Sequence, residues 1–169
     1  MKKEKTWTKL TGDYPYPVVS ALGISADGRV ILLKRSQNVR SARGVWSIPS
    51  GLHEVGVGAE DMMKREFKEE LGLEADKFSH VTTYENILPE EAPMAHWVIQ
   101  IFVCRLHHID RAVNLEPDKH EKMLITTFAD FADMVMCDAV PWHATLRSAL
   151  LRNMRTLRTH MLRFTEENR

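Results

Sequence analysis

The order of apolar patterns along this chain predicts an α/β (α+β) fold, in which a mixed β-sheet lies between helices. Strand-like runs alternate with helical patterns, the mostly apolar run at 95–106 suits a buried strand, and a long amphipathic pattern follows near the end. The length of 169 residues is typical of one domain with a substantial core.

The individual elements follow from residue periodicity and from turn signals. We predict strands at residues 18–25, 29–35, 46–49, 78–88, 95–106 and 122–128, and helices at 59–71, around Phe131 and at 143–164. The first two strands flank a turn with Gly28, which is typical of a hairpin. A polar loop separates the second and third strands, and the first helix ends at Gly72, because glycine favours helix C-termini.

The last predicted helix has one apolar face and one basic face. Its apolar stripe consists of Leu146, Leu150, Met154, Leu157 and Met161. The stripe predicts core packing, or core packing together with the seam of a homodimer. We expect the arginines outside the stripe to face solvent, with phosphate, nucleic acid or an acidic partner as the alternative.

Composition limits the classes of function. We divide the chain into a polar lead-in at 1–16 and a single domain at 17–169. A net charge of zero with 44% hydrophobic residues indicates neither strong nucleic-acid affinity nor disorder. No apolar run approaches the roughly 18 residues of a membrane span, and we expect no signal peptide. Cys104 and Cys137 fit no metal-binding spacing, so we predict a reducing, cytoplasmic environment.

The helix predicted at 59–71 places three carboxylates in or beside its apolar face. At about 100° per residue, Glu66 and Glu70 lie about 100° and 140° from Arg65, inside the apolar arc of about 60° to 240°. Glu69, at about 40°, lies beside that arc. Buried carboxylates need a compensating cation, and three of them suit Mg²⁺, with Mn²⁺ as the alternative. The competing interpretation is an ordinary charged helix with an Arg65–Glu69 pair.

The segment at 51–73 resembles the Nudix box, a pattern of glycine, glutamate, Arg-Glu, Glu-Glu and glycine at fixed spacing. Eight of nine constrained positions match. The matching residues are Gly51, Arg65, Glu66, Phe67, Glu69, Glu70, Gly72 and Leu73. The departure is Val57, where the pattern has glutamate. The resemblance extends over about residues 17–165 and implies the same sandwiched mixed sheet. The stretch at 45–131, which includes NLEPDKHE, looks most like MutT-type nucleotide triphosphate diphosphatases.

This resemblance implies a metal-dependent pyrophosphohydrolase that cleaves the pyrophosphate linkage of a nucleoside diphosphate bonded to a further group. The MutT-type likeness favours a (deoxy)nucleoside triphosphate, which would give a monophosphate and pyrophosphate. Hydrolysis of a nucleotide sugar or of ADP-ribose is the near alternative. A nucleotide-binding module with weakened catalysis is a third interpretation, because Val57 removes a carboxylate from the box. The resemblance identifies neither the base, the sugar nor the residues that bind substrate.

The same resemblance implies roles for the box residues. Glu66, Glu69 and Glu70 would be metal ligands at the catalytic centre, and Glu66 could also act as or support the general base. We expect Arg65 to orient these carboxylates by ion pairing. Glu54 and Glu60 lie near Val57 in sequence and could replace part of its missing charge.

Residues around the box complete the expected site. Ser50 stands where many members have a glycine whose carbonyl contacts the metal, and a carbonyl does not depend on the side chain. Glu116 resembles the loop glutamate that reaches the metal in some MutT-type members, with Glu121 as second choice and a solvated loop as the alternative. Gly51 and Gly56 would allow the sharp loop before the helix.

Overall fold

The fold is described by a computed structural model that covers residues 15–88 and 95–167. The assigned strands are β1 Tyr16–Ser25, β2 Arg29–Arg35, β3 Trp46–Ser47, β4 Ser50–Leu52, β5 Glu74–Leu88, β6 Ala95–His107 and β7 His120–Thr127. The helices are α1 Ala59–Leu71, α2 Phe128–Met136 and α3 Ala144–Glu166, with a short 3₁₀ turn at Ile109–Arg111. Within these described ranges, no helix is long and apolar enough to cross a membrane.

The strands form one mixed sheet in the order β3-β2-β1-β6-β5, with β4 paired to β1 and β7 paired to β2. β1 and β2 make the predicted antiparallel hairpin, in which Ile24 pairs with Val30. β1 runs parallel to β6 from Tyr16–Trp97 to Ser25–Leu106. Beyond the hairpin, β1 and β2 have different partners, because β4 joins β1 whereas β3 and β7 join β2.

Helices cover both faces of the sheet, as the sequence predicts. Phe67 and Leu71 of α1 pack with Ile31 in one buried cluster. On the other face, Phe131 of α2 and Leu150 of α3 belong to a second cluster with strand residues. The stripe of α3 is core, with its leucines buried and its methionines partly buried against that cluster. The homodimer seam stays a prediction.

Most element boundaries agree with the periodicity, and the exceptions have a physical cause. The first helix and the strand at 29–35 have the predicted limits. β5 begins at Glu74, four residues before the predicted 78, because Asp76 pairs with β6 through ion pairs to Arg105 and His107. Phe128 begins α2 instead of ending a strand. β4 and the 3₁₀ turn are too short to leave a periodic signal.

The predicted division into a lead-in and a domain stays a prediction. The described part of the lead-in consists of Pro15 and Tyr16, and Tyr16 already belongs to β1. The other residues of the lead-in lie outside the described ranges. β1 therefore starts two residues before the predicted strand and one residue before the predicted domain.

Gly72 ends α1 in the left-handed conformation, at φ 69°. Its backbone N–H donates to the Lys68 carbonyl at 3.1 Å, and the N–H of Leu73 donates to the Phe67 carbonyl at 3.1 Å. These bonds satisfy carbonyls that would otherwise lack partners at the helix end. The reversal directs the chain from α1 straight into β5, which fixes the helix against the sheet.

We expect Gly72→Ala to lower the free energy of unfolding by about 1 kcal/mol, because a Cβ is unfavourable at positive φ. Space is not the limit, since the nearest atom to a Cβ there is Leu115 Cδ1 at 3.6 Å. Gly58→Ala is the matched control at the other end of α1, where φ is −67°. Urea unfolding measures the free energy of unfolding of both variants and of the wild type. Equal losses in the two variants would contradict the conformational explanation.

Candidate active site

The side of α1 that faces the sheet carries two acidic residues among its apolar ones. Glu66 and Glu70 are each 3% exposed, whereas Glu69 is exposed. The helical wheel therefore predicts correctly that Glu66 and Glu70 are buried and that Glu69 lies beside the buried face. Removing carboxylates from water costs free energy unless charges or hydrogen bonds compensate them. The surroundings of Glu66 and Glu70 consequently determine what the site can hold.

Gly51 makes room for the carboxylate of Glu66. A Cβ at Gly51 would lie 2.5 Å from both Cδ and Oε1 of Glu66, closer than van der Waals contact permits. β4 holds this backbone in place, because Gly51 pairs with Val19 of β1. Gly51 is thus required by a close approach and not by the sharp loop that the sequence suggests. The adjacent Ser50 has no positive φ, so a non-glycine residue is accommodated there.

The loop between β4 and α1 brings Glu54 to Arg65, the arginine of α1 that precedes Glu66. Gly56 has φ 81°, which agrees with its expected turn role. Arg65 Nη2 lies 2.7 Å from Glu54 Oε1. The hydrogen bond to Glu54 raises the pKa of Arg65, and the charges of Glu69 and Glu66 contribute in the same direction. Arg65 therefore contacts Glu54 most closely, while lying near the box carboxylates.

Val57 occupies the position of the missing box glutamate as a packing residue. Its side chain is partly buried against the cluster on the α1 face. Its carbonyl oxygen lies 2.7 Å from His53 Nε2. Glu54 is exposed and paired with Arg65, and Glu60 is exposed in the first turn of α1. Of these two neighbours, Glu54 is the one engaged with a box residue.

A turn at 114–120 is attached to the C-terminal end of α1. The N–H of Leu115 donates to the carbonyl of Glu70 at 2.9 Å. Asn114 closes the turn, since its Oδ1 accepts from the Glu116 N–H at 3.2 Å and its Nδ2 donates to the His120 carbonyl at 2.6 Å. Ser36, just after β2, donates through Oγ to the Asp118 carbonyl at 2.6 Å. The turn is thus held by both α1 and the sheet.

This turn creates a cluster of three potential ligand groups, Glu70, Glu116 and His120, which we call the Glu–Glu–His cluster. One ligand atom from each residue lies within 4.8 Å of the others. His120 is 4% exposed, and its Nδ1 has no hydrogen-bond partner among the described residues. Burial, reinforced by the charge of Arg35, lowers the pKa of His120 to about 4. The imidazole is therefore neutral near pH 7, as a metal ligand must be.

Lys119 supplies a positive charge to the same cluster. Its Nζ lies 2.8 Å from Oε1 and 2.7 Å from Oε2 of Glu116. Glu121, the second choice from the sequence, is exposed and pairs with Lys34 at 2.6 Å. Of the two candidate loop glutamates, Glu116 is thus the one that faces α1.

Arg35 is a further residue that the sequence did not reveal. It stands opposite His120 in the β2–β7 pair, where the register shifts between Lys34 and Arg35. Its Nε and Nη2 donate to the Ser41 carbonyl at 3.2 and 3.1 Å. Burial lowers the pKa of this guanidinium, and the charge of Glu70 acts in the opposite direction. The available signal was a charged residue at the end of a strand with a four-residue apolar run.

The observed groups fit a divalent cation. Two carboxylates and a neutral imidazole are common ligands of such ions, and the orphan Nδ1 of His120 accepts no other donor among the described residues. Within those residues, the Glu–Glu–His cluster includes Glu70 and Glu116 but neither Glu66 nor Glu69. Ligand roles for Glu66, Glu69, Glu70, Ser50 and Glu116 all stay predictions.

Comparison with known proteins agrees with the box and the fold. The NUDIX domain model matches residues 15–148, so the chain belongs to the NUDIX family. An ADP-ribose pyrophosphatase of Methanocaldococcus jannaschii is 32% identical over 91 residues, which are 53% of this chain and 52% of that protein. The chain therefore spans about half the length of this curated relative.

Two solved structures show the same fold. The MutT NUDIX hydrolase from Burkholderia pseudomallei superposes with a TM-score of 0.65 at 24% identity, over 82% of this chain and 97% of that one. The MutT protein from Methanosarcina mazei Go1 gives 0.62 at 19% identity, over 93% and 98%. The chain is thus a NUDIX family member with a MutT-like fold, and enzymes of this family generally use a divalent metal and small nucleotide substrates.

We expect Gly51→Ala to reduce kcat by about 10- to 100-fold, because the new Cβ displaces the Glu66 carboxylate and small misplacements are costly in catalysis. Gly56→Ala is the control, since it strains a positive φ but meets no atom within 4 Å. Steady-state hydrolysis and thermal unfolding should be measured on both. If Gly51→Ala keeps wild-type kcat, the close approach to Glu66 has no catalytic importance.

Proposed function

We propose that this chain is a metal-dependent pyrophosphohydrolase that converts a (deoxy)nucleoside triphosphate to the monophosphate and pyrophosphate. One observation carries the proposal: Glu66 and Glu70, each 3% exposed, lie on the sheet-facing side of α1, with a glycine against Glu66. Stability alone does not explain why two acidic side chains are buried, one of them against a glycine where a Cβ would collide with its carboxylate. The arrangement suits carboxylates that hold a metal ion while this ion binds the phosphates of a nucleotide.

The metal ion is proposed to be Mg²⁺, with Mn²⁺ as the alternative. When bound, such an ion screens phosphate oxygens and lowers the pKa of a coordinated water. Glu66, Glu69 and Glu70 would hold it, and the Ser50 carbonyl would complete the set. Glu66 is also our candidate for the general base, because its carboxylate lies against the backbone of Gly51. These roles follow the box resemblance and the burial pattern.

Positive side chains would position the substrate and the acidic residues. Arg65, held by Glu54, places its charge near Glu66 and Glu69 and therefore orients the carboxylates without neutralising them fully. Arg35 lies near Glu70, and a guanidinium suits the oxygens of a pyrophosphate. We therefore add Arg35 to the proposed site as a substrate-binding residue.

ADP-ribose or nucleotide-sugar hydrolysis is the second candidate. The observation favouring it is the 32% identity to an ADP-ribose pyrophosphatase, which extends over about half of each protein. The box residues act on the pyrophosphate, so they do not distinguish these substrates.

Cys104 and Cys137 are both free thiols, which supports the proposed reducing, cytoplasmic location.

We expect Glu66→Gln, Glu69→Gln and Glu70→Gln each to lower hydrolysis at least about 100-fold, since loss of even a supporting group at a metal site costs about 10- to 100-fold. Glu60→Gln, an exposed acidic residue in the first turn of α1, is the matched control. The assay uses Mg²⁺ with ribo- and deoxyribonucleoside triphosphates, ADP-ribose and nucleotide sugars, and ³¹P NMR identifies the products.

The substrate panel separates the candidate functions. Monophosphate and pyrophosphate from a triphosphate would support the first, whereas cleavage of ADP-ribose alone would support the second. Nucleotide binding without any hydrolysis would favour the module with weakened catalysis. Wild-type rates in Glu69→Gln and Glu70→Gln would contradict the proposed catalytic site.

We expect Val57→Glu to lower the Mg²⁺ concentration for half-maximal activity by about tenfold, because it restores a carboxylate near the site. Val55→Glu adds the same charge in the same loop, but Val55 is fully exposed and serves as the control. A Mg²⁺ titration compares the three proteins, with thermal unfolding as a check on packing. No gain in metal affinity or rate would exclude a functional deficit at position 57.

A further inference from the structure

We propose that His120 is a metal ligand, and that the Glu–Glu–His cluster binds a first-row transition ion such as Mn²⁺ or Co²⁺ in preference to Mg²⁺. The cluster would be a second cation position beside the box carboxylates. This inference rests on the proposed function, because Glu70 belongs to both sites. The box resemblance does not include His120, so its assignment depends on the structure.

The separations within the cluster are close to those of a bound ion. Ligand atoms of Glu70, Glu116 and His120 lie within 4.8 Å of one another. Carboxylate oxygens and imidazole nitrogens bind such ions at about 2.0–2.2 Å, so two ligands of one ion are at most about 4.4 Å apart. Rotation of the Glu70 and Glu116 side chains towards His120 would therefore bring all three groups within reach of one ion.

The backbone of His120 is held by hydrogen bonds, yet its buried ring is incompletely bonded. Its backbone N–H donates to the Glu116 carbonyl at 3.0 Å, and its carbonyl accepts from Asn114 Nδ2 at 2.6 Å. Nδ1 nevertheless has no hydrogen-bond partner within the described ranges, although the residue is 4% exposed. A buried polar atom in this condition destabilises the fold. A bound ion at the cluster gives the imidazole a ligand role that packing does not supply.

The kinds of ligand determine which ion is favoured. Mg²⁺ prefers oxygen ligands and retains much of its hydration, whereas imidazole suits later first-row ions. Affinity for a mixed nitrogen and oxygen site rises from Mn²⁺ to Co²⁺. Replacing the nitrogen ligand should therefore weaken Co²⁺ binding far more than Mg²⁺ binding.

Lys119 competes with such an ion for Glu116. Its ammonium lies 2.7 and 2.8 Å from the two carboxylate oxygens of Glu116, so metal binding must displace it. Removing this charge should strengthen ion binding. Lys34 offers a matched comparison, because it pairs with Glu121 at 2.6 Å, and neither Lys34 nor Glu121 belongs to the cluster.

Calorimetry and the visible spectrum of bound Co²⁺ test the proposal on the full chain. We expect His120→Gln to weaken Co²⁺ binding at least about tenfold and to change Mg²⁺ binding less than about twofold. His160→Gln is the control, since Nδ1 of His160 is also buried without a partner among the described residues. Lys119→Met should strengthen Co²⁺ binding, whereas Lys34→Met should not.

A measurement on the unsubstituted protein guards against a variant that fails to fold. Sub-stoichiometric Mn²⁺ should broaden the imidazole NMR signals of His120 before those of His160. Equal broadening, or equal Co²⁺ affinity in His120→Gln and wild type, would overturn the assignment. These results are independent of the nucleotide panel: absent hydrolysis would refute the proposed function, whereas unchanged Co²⁺ binding in His120→Gln would refute only this inference.

Discussion

The burial of Glu66 and Glu70 against the sheet is the constraint on which the site depends. Both are 3% exposed, so each must be compensated by neighbouring charge or hydrogen bonds. Different segments of the chain accommodate and compensate these two carboxylates. The backbone beside Glu66 lacks a Cβ at Gly51, and Arg35 places a positive charge near Glu70. The two buried acids therefore explain why a glycine stands at position 51 and why a partly buried arginine stands at position 35, which the local structure of β4 and β2 does not explain.

The divergence of β1 and β2 allows these segments to meet at α1. The two strands pair at their hairpin and then acquire different neighbours, β4 on β1 and β7 on β2. β4 carries Gly51 to Glu66, while the start of β7 carries His120 to Glu70. The turn before β7 is also bonded to the end of α1 through Leu115. Both halves of the sheet thus contribute to one site, with the helix between them.

The sequence predicts the parts of this arrangement that depend on local periodicity. The limits of α1 and the burial of Glu66 and Glu70 follow from the helical repeat, and Glu116 follows from a resemblance. His120 could not be predicted in this way, because its direction depends on pairing with Arg35 across the register shift between β2 and β7. Gly51 was recognised as a box residue, but its physical reason is a contact with Glu66 that only the fold creates.

The distribution of charge suggests how the site exists before a cation binds. Arg65 is held by Glu54, whereas Lys119 is held directly by Glu116 of the Glu–Glu–His cluster. The first arrangement leaves a box arginine engaged outside the metal-binding set, and Val57 adds packing there instead of another carboxylate. The second places an ammonium where it must yield to an ion. Metal affinity therefore depends on how strongly the arginine and lysine side chains compete with the metal ion for the carboxylates. The number of carboxylates alone does not determine it.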